Sequence, residues 1–245
     1  MGEPAARPAK KVPGFCLALD TESIIPVKQL KKVVKRVQAR PDRSEEQALF
    51  AAGYRRVAGL DEAGRGALAG PVVAAVVVLP EHADFHWLAM VRDSKQLQKT
   101  IRENIFSLMQ DSGLEFSAGI ISPQIIDNIN ILNATKKAMK LAIGQLKKPP
   151  DYLLTDAVPL PRLRIPQKGI VKGDCSCLVI SCASVVAKVT RDRIMLKLDA
   201  KYPQYKFRDH KGYGTSEHLK CLQRYGACHI HRMTFGPVRD LARMI

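Results

Sequence analysis

Asp61 and Glu62 stand side by side at the end of the apolar run Tyr54–Leu60 and just before Gly64-Arg65-Gly66. Two carboxylates at the point where a strand gives way to a flexible, basic turn are placed for metal-ion chemistry, although most such pairs are simply solvated. Neighbouring strand residues point to opposite faces, so both acids serve one site only if Glu62 lies in the turn or bends back around an ion. Asp156, closing Leu153-Leu154-Thr155-Asp156, and Asp174, after Gly169-Ile170-Val171-Lys172-Gly173, occupy comparable positions. In an open α/β sheet such strand ends converge on one site. Four acids brought together repel one another unless cations fill the space, and hard, oxygen-seeking Mg²⁺ or Mn²⁺ suits that donor set. Two such ions ~3.5–4 Å apart can stabilise the attacking water and the leaving oxygen of an in-line phosphodiester hydrolysis.

Three further groups could meet a phosphate backbone. On a helix expected from about Val179 to Tyr202, Ser181, Ser184, Lys188 and Arg191 share one face opposite the apolar stripe Cys182, Val185, Val186 and Val189. Hydroxyls and cations on one face can hold successive phosphates or can be plain solvated surface. Asp93-Ser94-Lys95 offers a second basic turn, with Lys95 as a phosphate contact. His210-Lys211-Gly212-Tyr213-Gly214-Thr215 puts an aromatic ring between glycines, free either to stack on a sugar or base or to pack as an ordinary loop tyrosine. A zinc module from Cys175, Cys177 and Cys182 is disfavoured, because the spacing lacks paired knuckles and Cys182 sits on the apolar stripe.

The elements that must position these residues read as an alternation of strands and helices, which indicates an α/β fold. Strands are expected at Tyr54–Leu60, Pro71–Pro80, Leu114–Ile121, Tyr152–Thr155 and Gly169–Lys172. Helices are expected over Thr100–Asp111, from Ser122-Pro123 as cap and first residue to about Leu146, and from Val179. From Pro203 onward the chain reads as loop with one or two short helices. Residues 1–53 read as an N-terminal extension: a Pro/Ala/Gly/Lys-rich start, then a basic amphipathic helix over Ile24–Val37 that serves either as a packed helix or as an auxiliary nucleic-acid arm.

Composition narrows the class of substrate. The 245 residues carry 39 Lys and Arg against 23 Asp and Glu, a net charge of +16 and a pI near 9.8. Twelve basic residues face six acidic ones in residues 1–56, so +10 of that charge belongs to the remainder and a polyanionic partner is expected of the body itself. Six cysteines with no apolar leader point to a reducing, cytoplasmic setting, and no apolar run reaches the ~18–20 residues of a membrane span.

Taken together, Asp61-Glu62-Ala63-Gly64-Arg65-Gly66, Leu68-Ala69-Gly70-Pro71-Val72-Val73-Ala74-Ala75, Asp93-Ser94-Lys95, Lys172-Gly173-Asp174, Ala183–Asp192 and His210–Thr215 resemble the bacterial ribonuclease HII (type 2 ribonuclease H) family over about Ala51 to Val238. The resemblance implies an RNase H-like core, a mixed β-sheet flanked by helices, in a catalytic domain 54–245 whose helical segment 203–245 helps hold the hybrid. It implies hydrolysis of the RNA strand of RNA/DNA hybrids, and nicking of duplex DNA 5′ of an embedded ribonucleotide to leave 3′-hydroxyl and 5′-phosphate ends. It also implies action as a monomer. By the same resemblance Asp61, Glu62, Asp156 and Asp174 are the catalytic carboxylates that hold Mg²⁺ or Mn²⁺. Gly64, Arg65 and Gly66 read the 2′-hydroxyl, Tyr213 stacks on the deoxyribose 3′ of it, and Lys95, Ser184 and Lys188 contact phosphates. Ala67 stands where the family usually has Pro, and Ala157 where Gly commonly follows the third acid. The rival readings are a catalytically silent nucleic-acid binder and a small-molecule phosphatase. The four acids disfavour the first; the basic balance and the Tyr213 loop disfavour the second.

Overall fold

The computed structural model describes residues 40–157 and 159–242, so the expected helix Ile24–Val37 lies outside the described residues. Five strands form one mixed sheet in the order β3-β2-β1-β4-β5: β1 Val57–Ala63, β2 Val72–Val78, β3 Glu115–Ile121, β4 Tyr152–Asp156 and β5 Gln167–Ile170. β1 to β3 form an antiparallel meander, while β4 and β5 run parallel to β1. β2, Val-Val-Ala-Ala-Val-Val-Val, is buried on both faces, as a β-branched run inside a layered sheet should be.

The helices are α1 Ser44–Ala51, α2 Lys99–Asp111, α3 Pro123–Ile129, α4 Ile131–Gly144, α5 Gly173–Ser176, α6 Leu178–Lys201, α7 Phe207–His210, α8 Ser216–Tyr225 and α9 Gly236–Ala242. Side-chain alternation along β1 splits the core in two. Val57 and Ala63 pack with Leu154 and the Val179–Val189 face of α6, whereas Ala58 and Leu60 pack with Leu153 and with Ala138, Met139 and Ala142 of α4. A third cluster, built by Leu68, Met195, Phe207 and Leu222, anchors the C-terminal segment.

Several elements differ from their sequence-based limits. β1 runs three residues beyond Leu60, because its ladder with β2 continues through Asp61↔Ala75 and Glu62↔Ala74 to Ala63↔Val73. Asp61 and Glu62 therefore lie within a strand and not after it. The helix expected from Pro123 to Leu146 is two helices, broken at Asn130, whose φ of +63° ends α3 while its side chain accepts from the Asn133 N–H (3.0 Å) and caps α4. β5 stops at Ile170, so Asp174 sits on the helical turn α5 instead of a strand end. Within the stretch 1–53, α1 packs Phe50 into the core, and its buried Glu46 accepts the Val179 N–H at 2.7 Å, placing a carboxylate at the N-terminus of α6.

Candidate active site

β1 and β4 are adjacent and parallel with Leu60 opposite Thr155, so one step further along that register Asp61 comes beside Asp156. Both project from the sheet face that carries α6.

 Leu154, two residues before Asp156, and Val57 and Ala63 on either side of Asp61 all belong to that layer. Asp61 is almost fully buried, and its Oδ1 accepts the Glu62 N–H at 2.7 Å. Glu62 leaves the strand on the opposite side, yet it borders the same cavity as Ser184 of α6; its long side chain makes the bend that the backbone does not. Arg65 Nη1 pairs with Glu62 Oε1 at 3.2 Å, while Glu62 Oε2 is buried with no partner.

Asp156 Oδ1 accepts the Gly173 N–H at 2.9 Å, which fixes the turn that carries Asp174. Ser181, buried at the start of α6, donates to the Asp174 carbonyl (2.7 Å) and holds the same turn from the other side. The buried Asp174 carboxylate pairs with Lys95 Nζ at 3.0 Å. Ligand atoms of Asp93, Asp174 and Cys175 all lie within 4.8 Å of one another, so Asp93 is a fifth acid at this centre that the sequence reading passed over.

The electrostatics follow from crowding acids in a dry place. Burial first, then the charge of Glu62, pushes the Asp61 carboxyl well above its ordinary value. Burial raises Glu62 despite Arg65, and burial followed by Asp174 raises Asp156. Burial works against the Lys95 ammonium, but its bond to Asp174, with Asp93 and Asp61 nearby, outweighs that and raises its pKa. The cluster thus binds positive charge of whatever kind is at hand. Its oxygen donors, the unpartnered Glu62 Oε2 and a cation already drawn to Asp174 fit a hard divalent ion, which Asp61, Glu62, Asp156 and Asp174 would hold.

A cavity of about 560 Å³ opens beside Glu62 and Lys95, the residue paired with Asp174; Asp61, Asp156 and Asp174 do not line it. Gly64, Arg65 and Gly66 form one border, Ser94, Lys95 and Arg102 another, and Ser184, Lys188 and Tyr213 close the rest. All seven residues expected to meet substrate therefore line it, together with Glu62. Ser94 and Ser184 share a buried hydroxyl hydrogen bond of 2.8 Å. Arg102, which no sequence motif marks, donates to the Ser94 carbonyl at 2.8 Å and presents a further cation to the cavity.

The stripe Ser181, Ser184, Lys188 and Arg191 does not act as one phosphate-binding face. Ser181 is turned inward as described, and Arg191 is fully buried, donating from Nε to the Pro71 carbonyl (3.0 Å) and from Nη2 to that of Ala69 (3.1 Å). Its guanidinium lies 5.3 Å from the Tyr213 ring, so Tyr213 rests on a buried cation.

Ala157 follows Asp156 with φ +55°, a left-handed conformation that suits glycine. Ala157→Gly is expected to stabilise the protein by about 1 kcal/mol, or roughly 2–4 °C in a domain of this size. Thermal melts check this; an unchanged or lower Tm contradicts it.

The family model for ribonuclease HII matches residues 58–238. A ribonuclease HII of Acetivibrio thermocellus is 50% identical over 190 residues, covering 78% of this chain and 73% of that protein. Among solved structures, the ribonuclease H2 of Pyrococcus horikoshii OT3 is similar with a TM-score of 0.66 and 28% identity, over 77% of this chain and 98% of that one. Bst-RNase HIII in complex with Mn²⁺ shares the fold at a TM-score of 0.59 and 14% identity, over 81% of this chain and 73% of that one. With about three quarters of its length matched by the family model, and 50% identity to a relative over an aligned stretch that covers most of both chains, the protein belongs to the ribonuclease HII family of ribonuclease H-type endoribonucleases.

Proposed function

We propose that the protein hydrolyses the RNA strand of RNA/DNA hybrids and nicks duplex DNA on the 5′ side of an embedded ribonucleotide, leaving 3′-hydroxyl and 5′-phosphate ends. The observation that carries this reading is the meeting of two features: a group of buried carboxylates, and a cavity that joins it at Glu62 and at the Asp174 partner Lys95 and is bordered by all seven expected substrate contacts. Bound at those carboxylates, Mg²⁺ or Mn²⁺ would activate water and stabilise the charge that builds up on the phosphate and the leaving oxygen.

The chain's own residues do the rest. Asp61 and Asp156, side by side on neighbouring strands, and Asp174, fixed on its turn through Gly173, hold the cation-binding oxygens rigidly. Lys95, held at the cavity border by Asp174, contacts one phosphate oxygen, and Ser184 and Lys188 contact neighbouring phosphates. The backbone of Gly64-Arg65-Gly66 and the Arg65 side chain meet the 2′-hydroxyl, which both donates and accepts and so separates a ribonucleotide from its deoxy neighbours. Tyr213, supported by Arg191, stacks on the sugar 3′ of it. The net charge of +16 draws the duplex in. We take the enzyme to act as a monomer. Free thiols at the five described cysteines suit a cytoplasmic setting, and no helix among the described residues is long and apolar enough to cross a membrane.

A single ribonucleotide offers one productive register, whereas a long hybrid offers many, so the stacking ring matters most on the former. Tyr213→Ala is expected to lower nicking at a single ribonucleotide by about 10–100-fold, the worth of one stacking contact, and cleavage of a long hybrid by only a few-fold. Steady-state rates on both substrates decide it; equal losses contradict the assignment.

A further inference from the structure

The two walls of the cavity that meet the ribonucleotide, Gly64–Gly66 and Tyr213, come from segments about 150 residues apart, and one dipeptide touches the supports of both. Arg232 is fully buried. Its guanidinium donates to the Gly64 carbonyl (Nη2, 2.7 Å), the Arg65 carbonyl (Nη1, 2.9 Å) and the Gly70 carbonyl (Nε, 3.1 Å; Nη2, 3.0 Å). None of the described carboxylates forms an ion pair with it. A buried cation whose partners are backbone carbonyls of one turn acts as a template for that turn, since three carbonyls must converge for it to be satisfied.

The preceding residue reaches the other wall. His231 Nδ1 accepts the Cys228 N–H (2.9 Å), which leaves the proton on Nε2, and Nε2 meets His218 Nε2 at 3.1 Å. His218 must then donate from Nδ1, and it does so to the Tyr213 carbonyl at 3.0 Å. Burial drives both imidazoles down to about 4, so both are neutral, as this chain of donors and acceptors requires. Between the walls, Leu68 and Ala69 donate to the Gly212 carbonyl (2.8 and 3.3 Å), Arg232 N–H donates to the Leu68 carbonyl (2.8 Å), and Ala69 bridges His231. Gly212 has φ +81°, and a Cβ there would stand 2.5 Å from the Ala69 carbonyl oxygen, so the contact admits only glycine.

We propose that His231-Arg232 is the positioning element that sets the spacing between the Gly64–Gly66 turn and Tyr213, and through that spacing the preference for a single embedded ribonucleotide. Arg232 fixes the first wall directly, and His231 fixes the second through His218. Neither residue touches the carboxylates. The inference rests on the reading of the Gly64–Gly66 turn and Tyr213 as the ribonucleotide-sensing walls.

Arg232→Lys keeps a positive charge but cannot satisfy three carbonyls at once. His218→Asn keeps a donor toward the Tyr213 carbonyl and cuts the link to His231. Each is to be assayed on a duplex with one ribonucleotide and on a long RNA/DNA hybrid, with melting recorded with and without Mn²⁺. The ratio of kcat/KM values, single ribonucleotide to hybrid, should drop at least tenfold in both variants, the scale expected when walls shift by about 1 Å, while the Mn²⁺-induced rise in Tm persists. Proportional losses on both substrates, or failure of Arg232→Lys to fold, would make the dipeptide a general support of the core and overturn the proposal. If the unsubstituted protein itself fails to nick at the single ribonucleotide, the functional reading falls instead.

Discussion

Asp61→Asn is expected to lower cleavage by about three orders of magnitude or more, equivalent to ~4 kcal/mol of transition-state stabilisation, while making the cation-free protein more stable. The first effect follows from the position of Asp61 at the centre of the cluster, buried beside Asp156 and in contact with Glu62. The amide offers a weaker oxygen donor and no charge. The second follows from linkage: Asp61, Glu62 and Asp156 all have pKa values raised above those of an unfolded chain, so the folded state holds the extra protons. The contribution of these three carboxylates to the stability of the cation-free protein is then greatest at low pH, and it falls as pH climbs from about 4 through the raised values. Removing one of the repelling charges flattens that decline, so the Tm gain of Asp61→Asn should widen as pH rises. Divalent cation should raise the Tm of the native protein and do so much less for the variant. A variant that is both active and insensitive to these conditions contradicts the placement of the site.

Gly64→Ala carries the second large effect. Gly64 has φ +88°, and an added Cβ would lie 1.9 Å from Nε of the buried Arg191. The left-handed backbone alone costs ~1–2 kcal/mol for a residue with a side chain, and Arg191 cannot yield without leaving the Pro71 and Ala69 carbonyls that it satisfies. Stability should fall by about 2 kcal/mol or more, roughly 4–8 °C. Nicking at a single ribonucleotide should fall by about 100-fold, because the turn proposed to meet the 2′-hydroxyl moves with the glycine. Gly66 is the internal control: its added Cβ meets nothing within 4 Å, so Gly66→Ala should spare the Tm. Melting curves for the two variants test the steric argument separately from the rates.

The parts of the fold legible in the sequence were those written in local pattern. The β-branched run of β2, the Ser122-Pro123 start of α3 and the apolar stripe of α6 each state their element within a few residues. Of the seven expected contacts that line the cavity, Gly64, Arg65, Gly66, Lys95 and Tyr213 stand out in the sequence as glycine, basic and aromatic residues of short loops, and Ser184 and Lys188 as the polar face of α6. What escaped depends on distant partners. β1 reads as ending at Leu60 because its hydrophobic run ends there, whereas Asp61 and Glu62 are kept in the strand by Ala75 and Ala74 of β2. Asp174 reads as a strand-end acid, since nothing local shows that β5 closes at Ile170. Arg191 reads as a cation on a polar helix face and Arg232 belongs to no motif, because the burial of each is made possible only by carbonyls that converge from other segments. Asp93 was hidden beside the more conspicuous Lys95, and only the fold brings it to Asp174 and Cys175.

The most direct test is a denaturing gel on one 5′-labelled duplex that contains a single ribonucleotide. The protein should give one band, ending in a 3′-hydroxyl at the phosphodiester 5′ of the ribonucleotide, only when Mg²⁺ or Mn²⁺ is present, and none with Asp61→Asn. An intact strand, a cut at any other bond, or cleavage that survives either chelation or Asp61→Asn would contradict the account.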